Sequence, residues 1–179
     1  MASQNNIALL SLIVGVVVMI QNRKNNSGAA APASTGTGTV GNDSMARGIR
    51  NHNPGNIRHG DNWQGMSDTQ TDDAFIQFIA PEWGLRAMAR VLNNYRAIHG
   101  LNDVAGIISR WAPPFNEAGE FENDTDAYIS HVAGELGVSA FEHLPESMLP
   151  ELMKAIIKHE NNNIQPYSDA LILQGISMA

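Results

Sequence analysis

Cysteine is absent from the 179 residues, which removes disulfides, thiolate metal sites and cysteine nucleophiles together. Basic residues are scarce, with 11 Lys and Arg against 18 Asp and Glu and a net charge of −7. Between Trp111 and Lys154 there is no Lys or Arg at all, while nine Asp or Glu fall in that stretch. A nucleic-acid-binding surface needs a basic stripe. The cluster of Arg47, Arg50 and Arg58 with His52 and His59 is too small to make one, so nucleic acid is not expected as a partner. No HExxH-type pair or compact His/Asp cluster marks a zinc peptidase, and His99, His131, His143 and His159 read as surface residues. Neither GxSxG nor SxxK is present. No metal and no cofactor is expected.

Long apolar runs are also missing, with one exception. Residues 7–20 (IALLSLIVGVVVMI) are almost wholly apolar, and no charged side chain occurs before Arg23. As a helix the run would be roughly 21 Å long, short for a bilayer core of about 30 Å. Its uncharged flanks bring it near 20 residues, the lower edge of a spanning helix. A signal peptide would carry a basic segment before the apolar run, and here Arg23 and Lys24 come after it. Residues 1–24 are therefore expected to be a transmembrane anchor. Residues 25–44 (NNSGAAAPASTGTGTVGNDS) are small and polar with no apolar period, as in a flexible tether.

Residues 45–179 carry the folded part, expected to be α+β and mostly helical. Residues 57–63 and 74–79 read as two short strands of a small β-hairpin. A helix opens at Pro81 and closes at Gly100, with Leu85, Met88, Val91, Leu92, Tyr95 and Ile98 at helical spacing. A second is capped by Asn102 and stops at Pro113-Pro114. A third starts near Asp124-Thr125 and ends before Gly137. A fourth runs from Pro145 or Pro150 to about Glu160, and a fifth from Ser168 to about Ile176.

The fourth of these helices carries the most chemical information. At about 100° per residue, Leu149, Leu152, Met153, Ile156 and Ile157 share one arc, and Glu160 falls in its middle. A carboxyl in an apolar stripe is disfavoured in its ionised form, so its pKa rises. Such a group can act as a general acid near neutral pH. The helix macrodipole does not explain it, since an acid in the last turn is unfavourable. The competing reading is a frayed helix end with Glu160 in solvent.

Several segments taken together carry a family resemblance: RGIRNHNPGNIR (47–58), WQG (63–65), AFIQFIAPEWGLRAMARVLNNY (74–95), IISRWAPP (107–114), ENDTDAYISHV (122–132) and AIIKHENN (155–162). This string resembles the phage virion-associated lytic domains labelled structural protein P5-like, relatives of the lysozyme-like transglycosylases. The likeness spans roughly residues 46–176. It implies a lysozyme-like fold and cleavage of the MurNAc–GlcNAc β-1,4 bond of peptidoglycan, with Glu160 as the catalytic acid. In transglycosylase relatives the glutamate helix precedes the Gly-Asn turn; here AIIKHENN follows NPGNIR, as in a circular permutation. Asn161 also stands where those relatives carry Ser.

Other residues are candidates for the same site. Glu122, which heads the ENDT element, is the alternative acid. Asn53, Asn56 and Arg58 lie in a turn-rich stretch where Asn is common for backbone reasons, and where Asn and Arg are also suited to bind N-acetyl groups or stem carboxylates. Tyr128 and Tyr167 are the candidate cleft-lining aromatics, whereas Trp63, Trp83 and Trp111 read as core. The partners implied are glycan strands, a membrane through the N-terminal helix, and other virion proteins. The expected location is a virion membrane, or the host inner membrane with the domain facing the periplasm. The rival class is a non-enzymatic virion protein or glycan-binding module on the same tether.

Overall fold

The computed structural model describes residues 45–179, so the expected anchor (1–24) and tether (25–44) lie outside the described residues. Six helices follow in order: α1 (Arg47–Arg50), α2 (Pro81–His99), α3 (Val104–Trp111), α4 (Thr125–Leu136), α5 (Leu149–Glu160) and α6 (Asp169–Ser177). A 3-10 turn (Glu146–Met148) leads into α5. Among the described residues no helix is long and apolar enough to cross a membrane.

Local chemistry sets most helix ends. Pro81 starts α2 with its φ already helical and Glu82 in the first turn, and Gly100 closes it at φ 65°. Asp124 caps α4 by accepting from the Ala127 amide, and Gly137 ends it. Ser168 caps α6. The cap of α3 is Asp103, not the expected Asn102: its carboxylate accepts from the Gly106 amide at 2.7 Å. Asn102 serves the fold through its carbonyl, which accepts from the Leu144 amide at 2.7 Å. The helix α1 was not expected, because four residues are too few to show a period.

The core is built around α2. Its Leu85, Met88 and Leu92 have no exposed surface, and the helix packs against α6 on one side and α5 on another. Helix α4 packs against both α3 and α5, which brings the C-terminal ends of α3 and α5 together around Trp111. Ala155, placed off the apolar arc by the helical wheel, is buried too.

The expected β-hairpin does not form. Among the described residues there is no strand, only the isolated antiparallel bridges Arg58–Phe75, Met66–Phe78 and Phe115–Phe121. Pairing between the two segments stops at the bonds around Arg58–Phe75, the Ile76 amide to the Ile57 carbonyl and the His59 amide to the Ala74 carbonyl, and beyond them side chains hold the loop backbone. The Gln77 amide donates to Gln70 Oε1 at 2.7 Å, and Gln70 Nε2 donates to the carbonyls of Ser67 and Gln77. The amides of Ala74 and Phe75 both donate to Asp72 Oδ1. The described residues are therefore helical with an irregular loop, not α+β.

Asp72 is the hub of that loop. Arg47 holds it with two bonds of 2.7 and 2.6 Å, and Asn51 adds a third donor. Burial opposes its charge, yet Arg47, Asn51 and the two amides outweigh burial and hold the carboxyl well below the usual carboxylate range. The loop is thereby pinned to α1.

Candidate active site around Glu160

Glu160 ends α5, and the buried face of that helix (Leu149, Leu152, Met153, Ile156, Ile157) aims it inward. The residue is half-buried, and its carboxylate meets three neutral donors. Tyr128 Oη of α4 donates to Oε1 at 2.7 Å, and Trp111 Nε1 of α3 donates to the same oxygen at 3.2 Å. Asn56 Nδ2, from the NPGN turn, donates to Oε2 at 3.0 Å. No cation is among these donors. Burial raises the Glu160 pKa from 4.5 to about 7, against the lowering effect of Tyr128, Asn56 and Trp111. The frayed-end reading is thus replaced by a caged carboxyl.

The turn that supplies Asn56 is tightly built. Asn53 has no exposed surface, and its side chain is spent on backbone: Nδ2 donates to the carbonyls of Ile57 and Ile76, and Oδ1 accepts from the Ile57 amide. Asn53 shapes the turn and makes no bond to Glu160. Asn56 sits at φ 48°, a left-handed conformation that Asn tolerates better than most residues. Asn161, also fully buried, ties the end of α5 to the same turn, with Nδ2 donating to the carbonyls of Pro54 and Ile157, each at 2.9 Å. Gly48 of α1 lies against this asparagine cluster. A Cβ there would fall 2.7 Å from Asn161 Oδ1 and 2.8 Å from both Asn56 Oδ1 and the Asn53 carbonyl. Only glycine lets α1 approach.

The remaining candidates divide. Arg58 and Glu122 find each other at 2.8 Å, with the Glu122 side chain almost buried. The alternative acid is thereby committed to a guanidinium two residues beyond Asn56. The RWAPP and ENDT elements prove to be one structure, since Thr125 Oγ1 donates to the Ala112 carbonyl and Asn123 Nδ2 to the Pro113 carbonyl. That pairing joins the α3 end, which carries Trp111, to the α4 start, which carries Tyr128. Tyr167 is buried in the core, and its hydroxyl has no partner among the described residues. Burial pushes it up to about 12, and it makes no hydrogen bond to Glu160.

Residues outside the expected set matter as much. Trp111 is core, as expected, and is also a donor to Glu160. The imidazole of His159 stacks on the Tyr128 ring, with centroids 3.5 Å apart and planes 14° apart. Its Nδ1 lies 2.7 Å from His131 Nδ1. Burial, with His131 adding to it and Asp124 opposing, lowers His159 to about 4. The stacked ring is then neutral above that pH and fixes the plane from which the Tyr128 hydroxyl reaches Glu160.

Over 134 residues the chain is 39% identical to Protein P5 of Pseudoalteromonas phage PM2, covering 73% of this chain and 79% of that one. The chain belongs to the Protein P5 family. No general family model matches it. The resemblance read from the NPGNIR, RWAPP and ENDT elements is therefore correct at the level of the P5 family, which has a bacteriophage member.

The bond from Tyr128 bears on the acidity of Glu160. Burial first, then the Glu160 charge, raises the Tyr128 pKa well above its ordinary value, so the hydroxyl stays a donor. Its bond favours the ionised carboxylate, and bonds to charged groups are worth about 1.5–3 kcal/mol. Tyr128→Phe should therefore move the Glu160 titration further up, as read by carbon NMR of the carboxyl. A titration that stays in place or moves down would show that this bond does not set the carboxyl's acidity.

Proposed function

We propose that this protein is a peptidoglycan-cleaving enzyme of the lysozyme-like class that acts on the MurNAc–GlcNAc β-1,4 bond, with Glu160 as its acid. The observation that carries this reading is the cage: a half-buried carboxyl with a raised pKa, held by three neutral donors. A glutamic acid protonated near pH 7 can give its proton to the glycosidic oxygen as the C1–O bond breaks. The charge left on the carboxylate then develops where Tyr128, Trp111 and Asn56 already point, so little reorganisation is needed.

A hydrolase normally needs a second carboxylate at a defined separation. Glu122 and Asp72 are each taken up by an arginine. This favours a transglycosylase, in which one carboxyl serves twice. Glu160 first protonates the leaving oxygen. Its carboxylate then takes the proton from the MurNAc 6-hydroxyl as that oxygen closes on C1, giving a 1,6-anhydro end. We place the domain on a virion membrane through residues 1–24, opening the wall locally during genome entry. The second placement is the host inner membrane with the domain facing the periplasm.

A zymogram on cell walls tests the activity. Wild type should clear the wall and Glu160→Gln should leave it intact, with about a hundredfold or greater loss, while both chains melt cooperatively. Clearing by a folded Glu160→Gln would remove Glu160 from the mechanism, and an inert wild type would remove the enzyme.

A further inference from the structure

The segment between α3 and α4 leaves the site just after Trp111 and returns at Glu122, the partner of Arg58. Between those points it forms a locked hairpin. The Asn116 amide donates to the Glu120 carbonyl and the Gly119 amide to the Asn116 carbonyl, each at 2.9 Å. Asn116 Oδ1 accepts from the amides of Ala118 and Glu120, and Asn116 Nδ2 donates to Glu120 Oε2. This framework holds Phe115 opposite Phe121 in an antiparallel bridge, so both rings stand on one face. They remain 57% and 70% exposed. Their centroids lie 6.1 Å apart with planes at 79°, which makes two apolar walls meeting near a right angle.

A rigid hairpin that holds two phenyl rings in water cannot fold them back into its own core, and exposed apolar groups of this kind mark contact sites. The charge around them narrows the ligand. Glu117 and Glu120 lie on the hairpin itself, and no Lys or Arg occurs between Trp111 and Lys154. An anionic lipid surface or a nucleic acid would be repelled. A neutral pyranose has an apolar face of C–H bonds to set against one ring. An acetamido group offers a methyl to the other.

We infer that Phe115 and Phe121 form a binding corner for an N-acetylated aminosugar of the glycan strand, flanking the sugar whose bond faces Glu160. The inference rests on the proposed glycan-cleaving function for the identity of the strand, though binding is measurable without cleavage. Preorganisation of the hairpin lowers the entropy lost on binding, so the rings act on affinity and not on the proton transfer. They are binding residues.

The test uses the full chain in detergent, in the Glu160→Gln background so that substrate stays uncut, sedimented with purified sacculi. Phe115→Ala/Phe121→Ala should bind about tenfold more weakly, with an unchanged melting curve because both rings are exposed. Phe121→Ala alone should lose part of the affinity, and Phe121→Tyr should restore it. Soluble N-acetylglucosamine oligomers should compete with sacculi for the parent and should not compete for the double variant. Binding by the double variant equal to the parent, or a parent indifferent to these oligomers, would overturn the inference. A lipid-inserting hairpin would instead show quenching of a Phe121→Trp indole by brominated acyl chains, and that result would overturn it as well. Sacculus binding through the rings by a wild type that cuts nothing would sink the enzymatic reading alone. Cleavage with ring-independent binding would sink this inference alone.

Discussion

Glu160→Gln is expected to melt higher than the wild type at pH 8 and close to it near pH 4. The native carboxyl has its pKa raised from 4.5 to about 7, so the folded state binds the proton more tightly than the unfolded chain. The stability this group contributes is complete below pH 4.5 and is lost as pH rises through about 7. Above that, the folded protein holds an ionised carboxylate inside a cage with no cation. At 1.36 kcal/mol per unit, the loss is on the order of 3 kcal/mol, an upper bound because the residue is only half-buried. Glutamine keeps the shape without the charge. Its oxygen can accept from Tyr128 and Trp111, and its amide meets Asn56, whose own Oδ1 is unpartnered and can turn to accept. The gain at pH 8 should be a few degrees in Tm, since about 1 kcal/mol shifts a domain of this size by roughly 3–5 °C. A variant with the same offset at both pH values would show that the raised acidity constant is not there. The result would also place Glu160 among residues kept for activity at a cost in stability.

Gly84→Ala should cost more than any other single methyl added to this fold. Alanine in the body of a helix is ordinarily favourable over glycine by about 1 kcal/mol. Here a Cβ on Gly84 would sit 1.9 Å from the His52 carbonyl oxygen and 2.9 Å from Pro54 Cδ. The neighbour is backbone, in a turn whose His52 and Asn56 already hold positive φ, so it has little room to yield. The expected loss exceeds about 3 kcal/mol, or roughly 10 °C in Tm. The same displacement would draw Asn56 from Glu160, so the loss of stability should come with a lowered activity at temperatures where the variant is still folded. A variant melting within two or so degrees of wild type, by calorimetry, would mean that the turn is not seated on α2.

These residues also show what the chain disclosed before its structure. The 3.6-residue period is strong in α2 and α5, so the helices and the inward aim of Glu160 follow from spacing alone. Stop signals at Gly100 and Gly137 are equally local. The β-hairpin expectation failed for a specific reason: the apolar pattern of AFIQFI fits a strand, but backbone pairing with residues 57–63 stops at the Arg58–Phe75 bridge and the side chains of Gln70, Asp72 and Gln77 hold the loop, which no periodicity records. The cage itself joins residues far apart in the chain. Asn56 and Glu160 are 104 positions apart and Trp111 and Glu160 are 49 apart, so only folding brings them together. Trp111 was legible as core and not as a donor. His159 read as a surface residue and is instead half-buried, because it stacks against Tyr128, a contact that no spacing records. Asn53 was a binding candidate and instead bonds the backbone that positions Asn56, as Asn161 also does.

The proposed cleavage turns on one proton. Mass spectrometry of soluble products released from purified peptidoglycan by the full chain at pH 6 reads its fate directly. The wild type should yield muropeptides ending in 1,6-anhydro-MurNAc, and folded Glu160→Gln should yield none above background. Products from Glu160→Gln at the wild-type rate, or a wild type that releases no glycan fragments, would contradict it.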